Sequence, residues 1–421
     1  MREMKDSGIE WIGEIPEDWS TSRLGYVCDE FIVPMRDKPQ VFDGNIPWCR
    51  IEDIEGKYLN GTKSEQYVSQ KTIDEMNLKV YPIGTVINSC SATIGVSAIT
   101  TCPLCTNQTF IGLVAGEKIS NVYLYYMMNA LSEYMKFTGH GSTITYISQD
   151  KYKKFGIPLP SIYAQKCIAE YLDSKCTRID EIIDEQQAII DKLKEYKLSI
   201  ITEAVTSGIE PDVEMKDSGS VWFGNIPINW EMKRLKYVFH IQKDIAGEEG
   251  HTVLSITQRG IIPKDFSNNE GQFANSYANY QLVHKGDFAM NHMDLLTGWV
   301  DISKYEGVTS PDYRVFVLND KNGMCPEYYL YMMQMCYSAR IFYGLGQGVS
   351  GMGRWRLQAD KFLNFHIPIP PYEEQKLIAD YVTDKVNHIE AEIDKRNKLV
   401  EKYQEYKKSL IYEVVTGKKE V

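Results

Sequence analysis

A glycine-rich segment in the second half of the chain carries the side chains best suited to contact nucleotide bases. It reads GLGQGVSGMGRWR over residues 344–356. Glycine permits close backbone approach to a ligand, and arginine and glutamine match the hydrogen-bonding edges of guanine and adenine. The candidate residues in this segment are Gln347, Ser350, Arg354 and Arg356. A surface loop with incidental basic residues is the alternative.

Other polar and basic candidates lie beside predicted strands and loops in both halves of the chain. Basic side chains suit phosphate contacts, and amides and hydroxyls suit base edges. For the polar sets, core packing or turn structure is the alternative, and for the basic residues it is solvated surface charge. In the first half, the candidates are Arg36, Lys38, Arg50, Asn88, Ser89, Asn107, Gln108, His140, Ser142 and Thr143. In the second half, they also include Arg259, Lys264, Asn291, His292, Ser310, Tyr313 and Arg314.

Motifs of catalysis are not found in the sequence. It has no GxxxxGK[ST] phosphate loop, and its GLGQG run follows a predicted helix, which is the wrong context for a dinucleotide turn. No Asn-Pro-Pro-aromatic stretch indicates adenine methylation, and no two of the seven histidines have metal-ligand spacing. Pro211-Asp212 and Glu214-Met215-Lys216 look like a nuclease motif, yet they are nearly contiguous in a predicted linker. We therefore expect no catalytic residue, no metal site and no cofactor in this chain.

Composition is that of an ordinary globular protein. With 421 residues, 43% apolar and 24% charged, the chain predicts two or three domains. The net charge of −11 argues weakly against nucleic acid, but acidic helices can outweigh basic patches placed elsewhere. Nine scattered cysteines suit a reducing compartment, and no apolar run reaches the roughly 18 residues of a membrane span. We expect a cytoplasmic protein.

An internal repeat organises these elements. EMKDSGIEWIGEIPEDW at residues 3–19 returns as EMKDSGSVWFGNIPINW at residues 214–230, an offset of 211. FGIPLPSIYAQKCIAEYLDSK (155–175) returns as FHIPIPPYEEQKLIADYVTDK (365–385), an offset of 210. Between these borders the halves are of nearly equal length but align only in patches. Each interior predicts short strands and one amphipathic helix, at 121–137 and 326–342.

A long heptad helix follows each domain. Apolar residues recur at alternating steps of four and three over residues 164–206 and 373–416, which predicts two paired helices of about 65 Å each. Gly208 and Gly417 are expected to end them as C′ glycines. The predicted pairing seam comprises Ile168, Leu172, Ile179, Ile189, Leu193, Ile200, Ile378, Val382, Ile389, Ile393, Leu399 and Leu410.

The predicted fold class is α+β, with two mixed α/β domains separated by two long antiparallel helices that form a coiled coil, and a pseudo-two-fold repeat. The predicted boundaries are 1–160 for the first domain, 161–208 for the central helix, 209–370 for the second domain and 371–421 for the C-terminal helix. A rigid spacer between two divergent domains suits a ligand with two separated, non-identical features. Half-sites one turn of DNA apart lie about 34–36 Å from each other.

The repeated MKDSGxxWxGxIPxxW and RLxYV segments resemble the specificity subunit of type I restriction–modification systems. The IPLP and IPIP borders and the GDFAMNHMDLLTG…SPDYRVF pattern add to this resemblance, which covers essentially the whole chain. The first half departs from it, with GTVINSCSATIG in place of GDFAMNHMDLLTG.

The resemblance implies that each domain is a target-recognition domain reading one half of a bipartite, asymmetric DNA sequence. It implies that the helices set the half-site separation and dock two methyltransferase (modification) subunits. S-adenosylmethionine, ATP and Mg would belong to partner subunits, including restriction/translocase subunits that join the complex. A tandem-domain scaffold that binds protein or glycan ligands is the alternative function.

Overall fold

The computed structural model describes residues 2–34, 37–91, 93–138, 146–266, 274–348 and 355–421. The chain divides into two compact units. The first unit is Met1–Gln187 with Asn397–Val421, and the second unit is Ala188–Arg396. Each unit thus combines one globular domain with parts of two long helices. No helix among the described residues is long and apolar enough to cross a membrane.

The first half contains twelve strands and five α-helices in the described ranges, besides a 3-10 helix at Ile51–Asp53. They are β1 (Met4–Ile9), β2 (Gly13–Pro16), β3 (Ser20–Arg23), α1 (Leu24–Val27), β4 (Cys28–Ile32), β5 (Ile46–Cys49), β6 (Tyr58–Leu59), β7 (Tyr67–Val68), α2 (Gln70–Met76), β8 (Val86–Ser89), β9 (Ser97–Thr100), β10 (Cys105–Thr106), β11 (Phe110–Ala115), α3 (Asn121–Thr138), α4 (Gln149–Lys154), β12 (Gly156–Leu159) and α5 (Ile162–Ser207).

The second half has a matching order of elements. They are β13 (Met215–Asp217), β14 (Asn225–Pro227), β15 (Glu231–Arg234), β16 (Phe239–Gln242), β17 (Leu254–Thr257), β18 (Gly260–Pro263), β19 (Gln281–Val283), β20 (Phe288–Met290), β21 (Val300–Ile302), β22 (Gly307–Thr309), β23 (Arg314–Leu318), α6 (Pro326–Ser338), α7 (Ile341–Leu345), α8 (Ala359–Asn364), β24 (His366–Ile369) and α9 (Tyr372–Val415).

The central sheets of the two domains share one strand order. The first domain has β4-β11-β8-β9-β6 and the second has β16-β23-β20-β21. In the first domain, β11 lies between β4 and β8, and in the second domain β23 lies between β16 and β20. These pairings are antiparallel, and β11 and β23 are the strands that precede the amphipathic helices. The border strands pair alike, β3 with β12 and β15 with β24. The domain interiors, which align only in patches as sequences, therefore share the order of four central strands, whereas β6 and the smaller sheets differ between them.

The amphipathic helices α3 and α6 form the centre of each core, as the helical spacing of their apolar residues predicts. Tyr123 and Met127 of α3 and Tyr328 and Met332 of α6 are fully buried. The tyrosine hydroxyls of the two helices make equivalent hydrogen bonds. Tyr123 donates to the carbonyls of Pro158 and Val415, at 3.2 Å each. Tyr328 donates to the carbonyls at the equivalent positions, Val205 (3.2 Å) and Pro368 (3.0 Å).

The long helices α5 and α9 run antiparallel. In the first unit, the beginning of α5 packs in one core with the end of α9, since Ile168 and Leu172 lie in the same cluster as Leu410. In the second unit the ends are exchanged, and Val205 of α5 packs in one core with Ile378 of α9. The predicted antiparallel pairing is thereby confirmed. Ion pairs accompany it, Lys407 with Asp180 at 2.6 Å in the first unit and Lys197 with Glu390 at 3.1 Å in the second.

Burial along the two helices follows the predicted seam at the helix ends and differs in the middle. Ile168, Leu172, Ile179, Ile200, Ile378, Val382, Ile389 and Leu410 are buried, whereas Ile189, Leu193 and Ile393 are half-buried. Leu399 is exposed, which differs from the prediction, and its neighbour Val400 is half-buried instead. Ile190, outside the predicted seam, is 1% exposed. A helix of 3.6 residues per turn drifts relative to a strict seven-residue pattern, so the buried stripe moves to the adjacent residue.

Each long helix ends against the domain of the other half. Gly208 and Gly417 have φ of +80° and +74°, which confirms them as left-handed residues that end the helices. A Cβ at Gly417 would lie 2.4 Å from Pro16 and 3.1 Å from Trp19. At Gly208 it would lie 3.4 Å from Trp230. Trp19 and Trp230, which are equivalent in the repeat, therefore pack against the two helix ends.

Candidate nucleic-acid interface

A cavity of about 420 Å³ in the second domain brings together four of the predicted residues. It lies beside the end of β16, the beginning of β23 and the beginning of α8. Its apolar wall consists of Ile241, Ile245, Pro311 and Ala359. Its polar lining consists of Lys243, Gln281, His292, Tyr313, Arg314, Arg356 and Gln358. We refer to it as the cationic cavity, because no aspartate or glutamate is among the described residues that line it.

Arg314, the first residue of β23, is 4% exposed. Its Nη2 donates to the carbonyl oxygen of Leu357 at 2.8 Å, and its guanidinium carbon lies 4.9 Å from the ring centroid of Phe362. Its Nη1 is buried without a hydrogen-bond partner among the described residues. Burial lowers the pKa of Arg314 to about 10, so the group remains charged at neutral pH. A buried cation whose Nη1 has no partner among the described residues is the strongest indication that this cavity binds a ligand.

His292 follows β20 and is 5% exposed. Its backbone carbonyl accepts from the amide of Leu357 at 3.0 Å, and its Nδ1 has no partner in the described part of the chain. Burial, and then the charges of Arg314, Arg356 and Lys243, lower the pKa of His292 to about 3. The imidazole is therefore neutral at physiological pH, and the cavity's charge comes from its arginines and lysine.

Two hydrogen bonds from Gln281 stabilise the turn that carries Ser310 and Tyr313. Gln281, which is 4% exposed, donates its amide to the carbonyls of Ser310 (2.9 Å) and Tyr313 (2.7 Å). The hydroxyl of Ser310 accepts from the amide of Asp312 at 3.2 Å. Ser310 thus shapes the turn, whereas Tyr313 and the adjacent Pro311 face the cavity.

Gln347 and Arg356 form a two-way backbone bridge across the glycine-rich segment, at 3.0 and 3.1 Å. The Gln347 side chain accepts from Gln358 at 2.7 Å. Both Gln347 and Arg356 are exposed, and Arg356 reaches the cationic cavity. Ser350 and Arg354 lie outside the described residues, as do Arg36, His140, Ser142 and Thr143.

The remaining candidates of the second domain lie away from the cavity lining. Asn291 closes a turn, because its side-chain oxygen accepts from the amides of Met293 (3.2 Å) and Asp294 (3.3 Å). Arg259 is exposed at the tip of the β17–β18 hairpin. Lys264 is half-buried, with Nζ 5.8 Å from the ring centroid of Phe266. Arg259 therefore presents an exposed positive charge of the kind that contacts phosphates.

In the first domain, the strand-end candidates belong to the interior. Asn88 is fully buried, donates to Ser97 at 2.7 Å and accepts from the hydroxyl of Tyr152 at 2.5 Å. Ser89 is also fully buried and donates to the carbonyl of Ser91 at 3.3 Å. Their polar groups are used inside the protein, so this placement favours core structure over base contact.

The other candidates of the first domain are closer to solvent and lie on separate elements. Asn107 is half-buried and accepts from Thr109 at its backbone amide and hydroxyl, which makes it a turn residue. Gln108 and Lys38 are exposed. Arg50 is half-buried, and its guanidinium donates to Gln66 at 2.5 Å. Gln108 and Lys38 are thus the described candidates of this domain that remain accessible.

Sequence reasoning missed Lys243, Gln281 and Gln358. Gln281 acts by holding the 310–313 turn, so no feature of its own sequence neighbourhood indicates it. Lys243 comes directly after β16, and its position at a strand end was the only available signal. No group of three or more His, Cys, Asp or Glu residues that could hold a metal ion occurs where side chains are described.

Comparison with known proteins agrees with this arrangement of two domains. The family model described as "Type I restriction modification DNA specificity domain" matches twice, over residues 16–195 and 227–402. The two matches cover most of the chain, and each includes a central sheet and the first part of the long helix that follows it. The chain belongs to the type I DNA specificity family.

Relatives in the type I DNA specificity family align over parts or nearly all of the chain. The type I restriction enzyme MjaVIII specificity subunit of Methanocaldococcus jannaschii is 25% identical over 96% of this chain and 93% of its own length. The MjaIX specificity subunit of the same organism is 28% identical, over 55% of this chain and 54% of its own length. With this second relative, therefore, only about half of each protein is aligned.

A solved structure supports the fold. A chain from a study of complex assembly and conformational transition of the type I R-M system matches with a TM-score of 0.64. The match covers 95% of this chain and 98% of that chain, at 14% sequence identity. At this identity the likeness concerns the fold alone, and it extends over both domains and both long helices.

Proposed function

We propose that this chain is the DNA sequence-recognition subunit of a type I restriction–modification complex. Each domain reads one half of a bipartite, asymmetric target, and the two long helices set the half-site separation. The observation that carries this proposal is the double occurrence of the DNA specificity domain. The two occurrences share a strand order, yet their residues differ where the cationic cavity lies, so the two half-sites differ in sequence.

The chain recognises DNA and does not modify it. Methyl transfer from S-adenosylmethionine, and any ATP- and Mg-dependent translocation or cleavage, belong to partner subunits. The accessible candidates support this division, since Arg356, Arg259, Lys38 and Gln108 are exposed side chains suited to hydrogen bonding with DNA.

Methylome sequencing tests the proposal. A host that expresses this chain with its methyltransferase partner should methylate adenines in one bipartite, asymmetric motif. Replacing residues 240–365 with the corresponding segment of another family member should change one half of the motif and leave the other half and the spacer intact. Methylation that does not depend on this chain, or a change in both half-sites, would refute the assignment.

Exposed tyrosines repeat in both halves and suit two copies of one partner. Tyr196 of α5 and Tyr406 of α9 are 57% and 51% exposed, and they are equivalent at the offset of 210. Tyr26 and Tyr237, equivalent at the offset of 211, are 74% and 59% exposed. Aromatic residues anchor protein interfaces. We therefore assign these repeated surfaces to two methyltransferase subunits, one for each half.

Alanine variants of the helix tyrosines test the stoichiometry. Native mass spectrometry should find two methyltransferase subunits on the wild-type chain, and Tyr196→Ala or Tyr406→Ala should each weaken one of the two binding steps. Tyr163→Ala is the matched control, because Tyr163 is 78% exposed and its repeat equivalent is Glu373. Equal loss in the control variant would show that the repeated tyrosines have no special role.

A further inference from the structure

The cationic cavity holds three positive groups that have no negatively charged partner among the described residues. Arg314 lies at its base, and Lys243 and Arg356 lie at its exposed margin. None of the three appears in an ion pair in the described part of the chain, and the lining has no carboxylate. Burying an unpaired charge is costly. A site of this composition is completed by an anion that enters from outside.

The neutral state of His292 agrees with a positive field in the cavity. Three of the causes that lower its pKa to about 3 are the charges of Arg314, Arg356 and Lys243, after burial itself. The protein therefore does not compensate this field with its own groups. His292 adds a polar nitrogen, Nδ1, that has no described partner.

The geometry of Arg314 favours a phosphate oxygen over a base edge. Arginine reads guanine with two parallel N–H groups of one guanidinium. Here Nη2 is already bonded to the carbonyl of Leu357, and the guanidinium lies over the ring of Phe362. The terminal nitrogen without a partner among the described residues is Nη1, and the backbone bond of Nη2 restrains the guanidinium from turning both terminal nitrogens towards one base edge. Monodentate contacts from several cations suit a phosphodiester, and a volume of about 420 Å³ leaves room for the attached sugar.

We propose that the cationic cavity receives one phosphodiester group of the DNA backbone and so fixes the register of the second domain on its half-site. This inference rests on the proposed function and adds a defined ligand to it. Phosphate contacts position a protein on DNA but carry no base information. The cavity therefore contributes to affinity and register, whereas base reading occurs elsewhere in the domain.

The first test measures the salt dependence of DNA binding by the complex of this chain with its methyltransferase subunits. Arg356→Ala and Lys243→Ala should each weaken binding to cognate and unrelated DNA by the same factor. Each should also reduce the slope of log affinity against log salt by about one. The methylated motif should stay the same. Lys321→Ala is the control, since this exposed lysine lies outside the cavity lining, and its slope should match wild type.

The second test locates the phosphate. In a series of cognate duplexes, each with one neutral methylphosphonate, one position should weaken wild-type binding and leave the Lys243→Ala/Arg356→Ala double variant unaffected. Arg314→Lys, which keeps the charge, should bind more strongly than Arg314→Gln if both fold. Circular dichroism and size-exclusion chromatography establish folding for each variant.

The outcomes separate the two proposals. A changed methylation motif at one base position with an unchanged salt slope would overturn the phosphate site and identify the cavity as base-reading. Wild-type slopes in both margin variants would also overturn it. Absence of sequence-specific DNA binding by the wild-type complex would instead refute the proposed function itself.

Discussion

Three equivalent positions show how two domains of one topology acquire different sites. In the second domain, His292 and Arg314 are buried residues that line the cationic cavity, and the guanidinium of Arg314 lies over the ring of Phe362. In the first domain, Cys90, Phe110 and Tyr152 lie at the matching places. Phe110 begins β11 as Arg314 begins β23, and Cys90 accepts from the amide of Ile147 as His292 accepts from that of Leu357. A buried, largely apolar cluster in one domain thus corresponds to a charged cavity in the other.

Some candidate residues were predictable from sequence, and others were not, for a reason that lies in strand geometry. Successive side chains of a strand point to opposite faces, so one residue decides between core and surface. Asn88 and Arg314 both border a central strand pair, yet Asn88 is used by Tyr152 and Ser97 in the core while Arg314 faces a cavity. Residue type indicates capacity for hydrogen bonding, but only the register reveals which groups are already used.

Lowering the pH should destabilise the second unit through His292. The pKa of this imidazole is about 3 in the folded chain, against an ordinary value of 6.5. Below pH 6.5 the unfolded chain takes up a proton that the folded chain does not, so the free energy of unfolding falls as the pH falls. At pH 5 the loss is roughly 2 kcal/mol relative to neutral pH.

Urea unfolding of wild type and His292→Gln between pH 7.5 and pH 5 measures this contribution. The variant lacks the imidazole, so the gap between the two unfolding free energies should change by roughly 2 kcal/mol across the range in the variant's favour. Parallel curves for the two proteins would contradict a neutral buried imidazole.

At the scale of elements, a buried glutamine at the beginning of each long helix joins helix and domain. Gln165 of α5 is fully buried; it accepts from the amide of Ser120 at 2.9 Å and donates to the carbonyls of Lys118 and Pro160. Gln375 of α9 repeats this pattern, with the amide of Cys325 (3.0 Å) and the carbonyl of Pro370 (2.9 Å). The glutamine that recurs in both repeat borders thus has a structural role.

Replacing this glutamine should be costly although the new side chain is apolar. Gln165→Leu removes the partner of three backbone groups, the buried carbonyl of Pro160 and two part-buried groups of Lys118 and Ser120, and we expect a loss of about 3 kcal/mol in the free energy of unfolding. Gln404→Leu, at an exposed position of α9, should change it by less than about 0.5 kcal/mol. Chemical denaturation measures the free energy of unfolding of both variants, and similar stabilities would show that the repeated hydrogen-bond pattern contributes little.

The helices also show what periodicity can predict. Their existence, approximate limits and antiparallel direction follow from the heptad pattern and from the repeat. The pattern does not predict which face is buried in the middle of the helices, because Ile190 is buried and Leu399 is exposed. Near the helix ends, the domains themselves cover the apolar stripe, so packing there agrees with the pattern.

At the scale of the whole molecule, the proposal that the two long helices set the half-site separation makes a quantitative prediction. Seven residues inserted after position 187 of α5 and after position 396 of α9 add two turns, or about 10 Å, to each helix. Methylome sequencing should then find a spacer about three base pairs longer, with both half-sites unchanged. An unchanged spacer in an active variant would remove the helices as the determinant of half-site separation.

The composition of the two units has a consequence for synthesis on the ribosome. The second unit, Ala188–Arg396, is continuous in sequence, so all of its core residues are present once residue 396 has been made. The core of the first unit includes Leu410, Ile411, Val414 and Val415. At about 5–20 residues per second, the first domain waits about 10–40 s for the strip of chain that completes its core. During that interval Ile168 and Leu172 lack the α9 residues that share their core in the finished chain, so we expect the core of the second unit to be complete before that of the first.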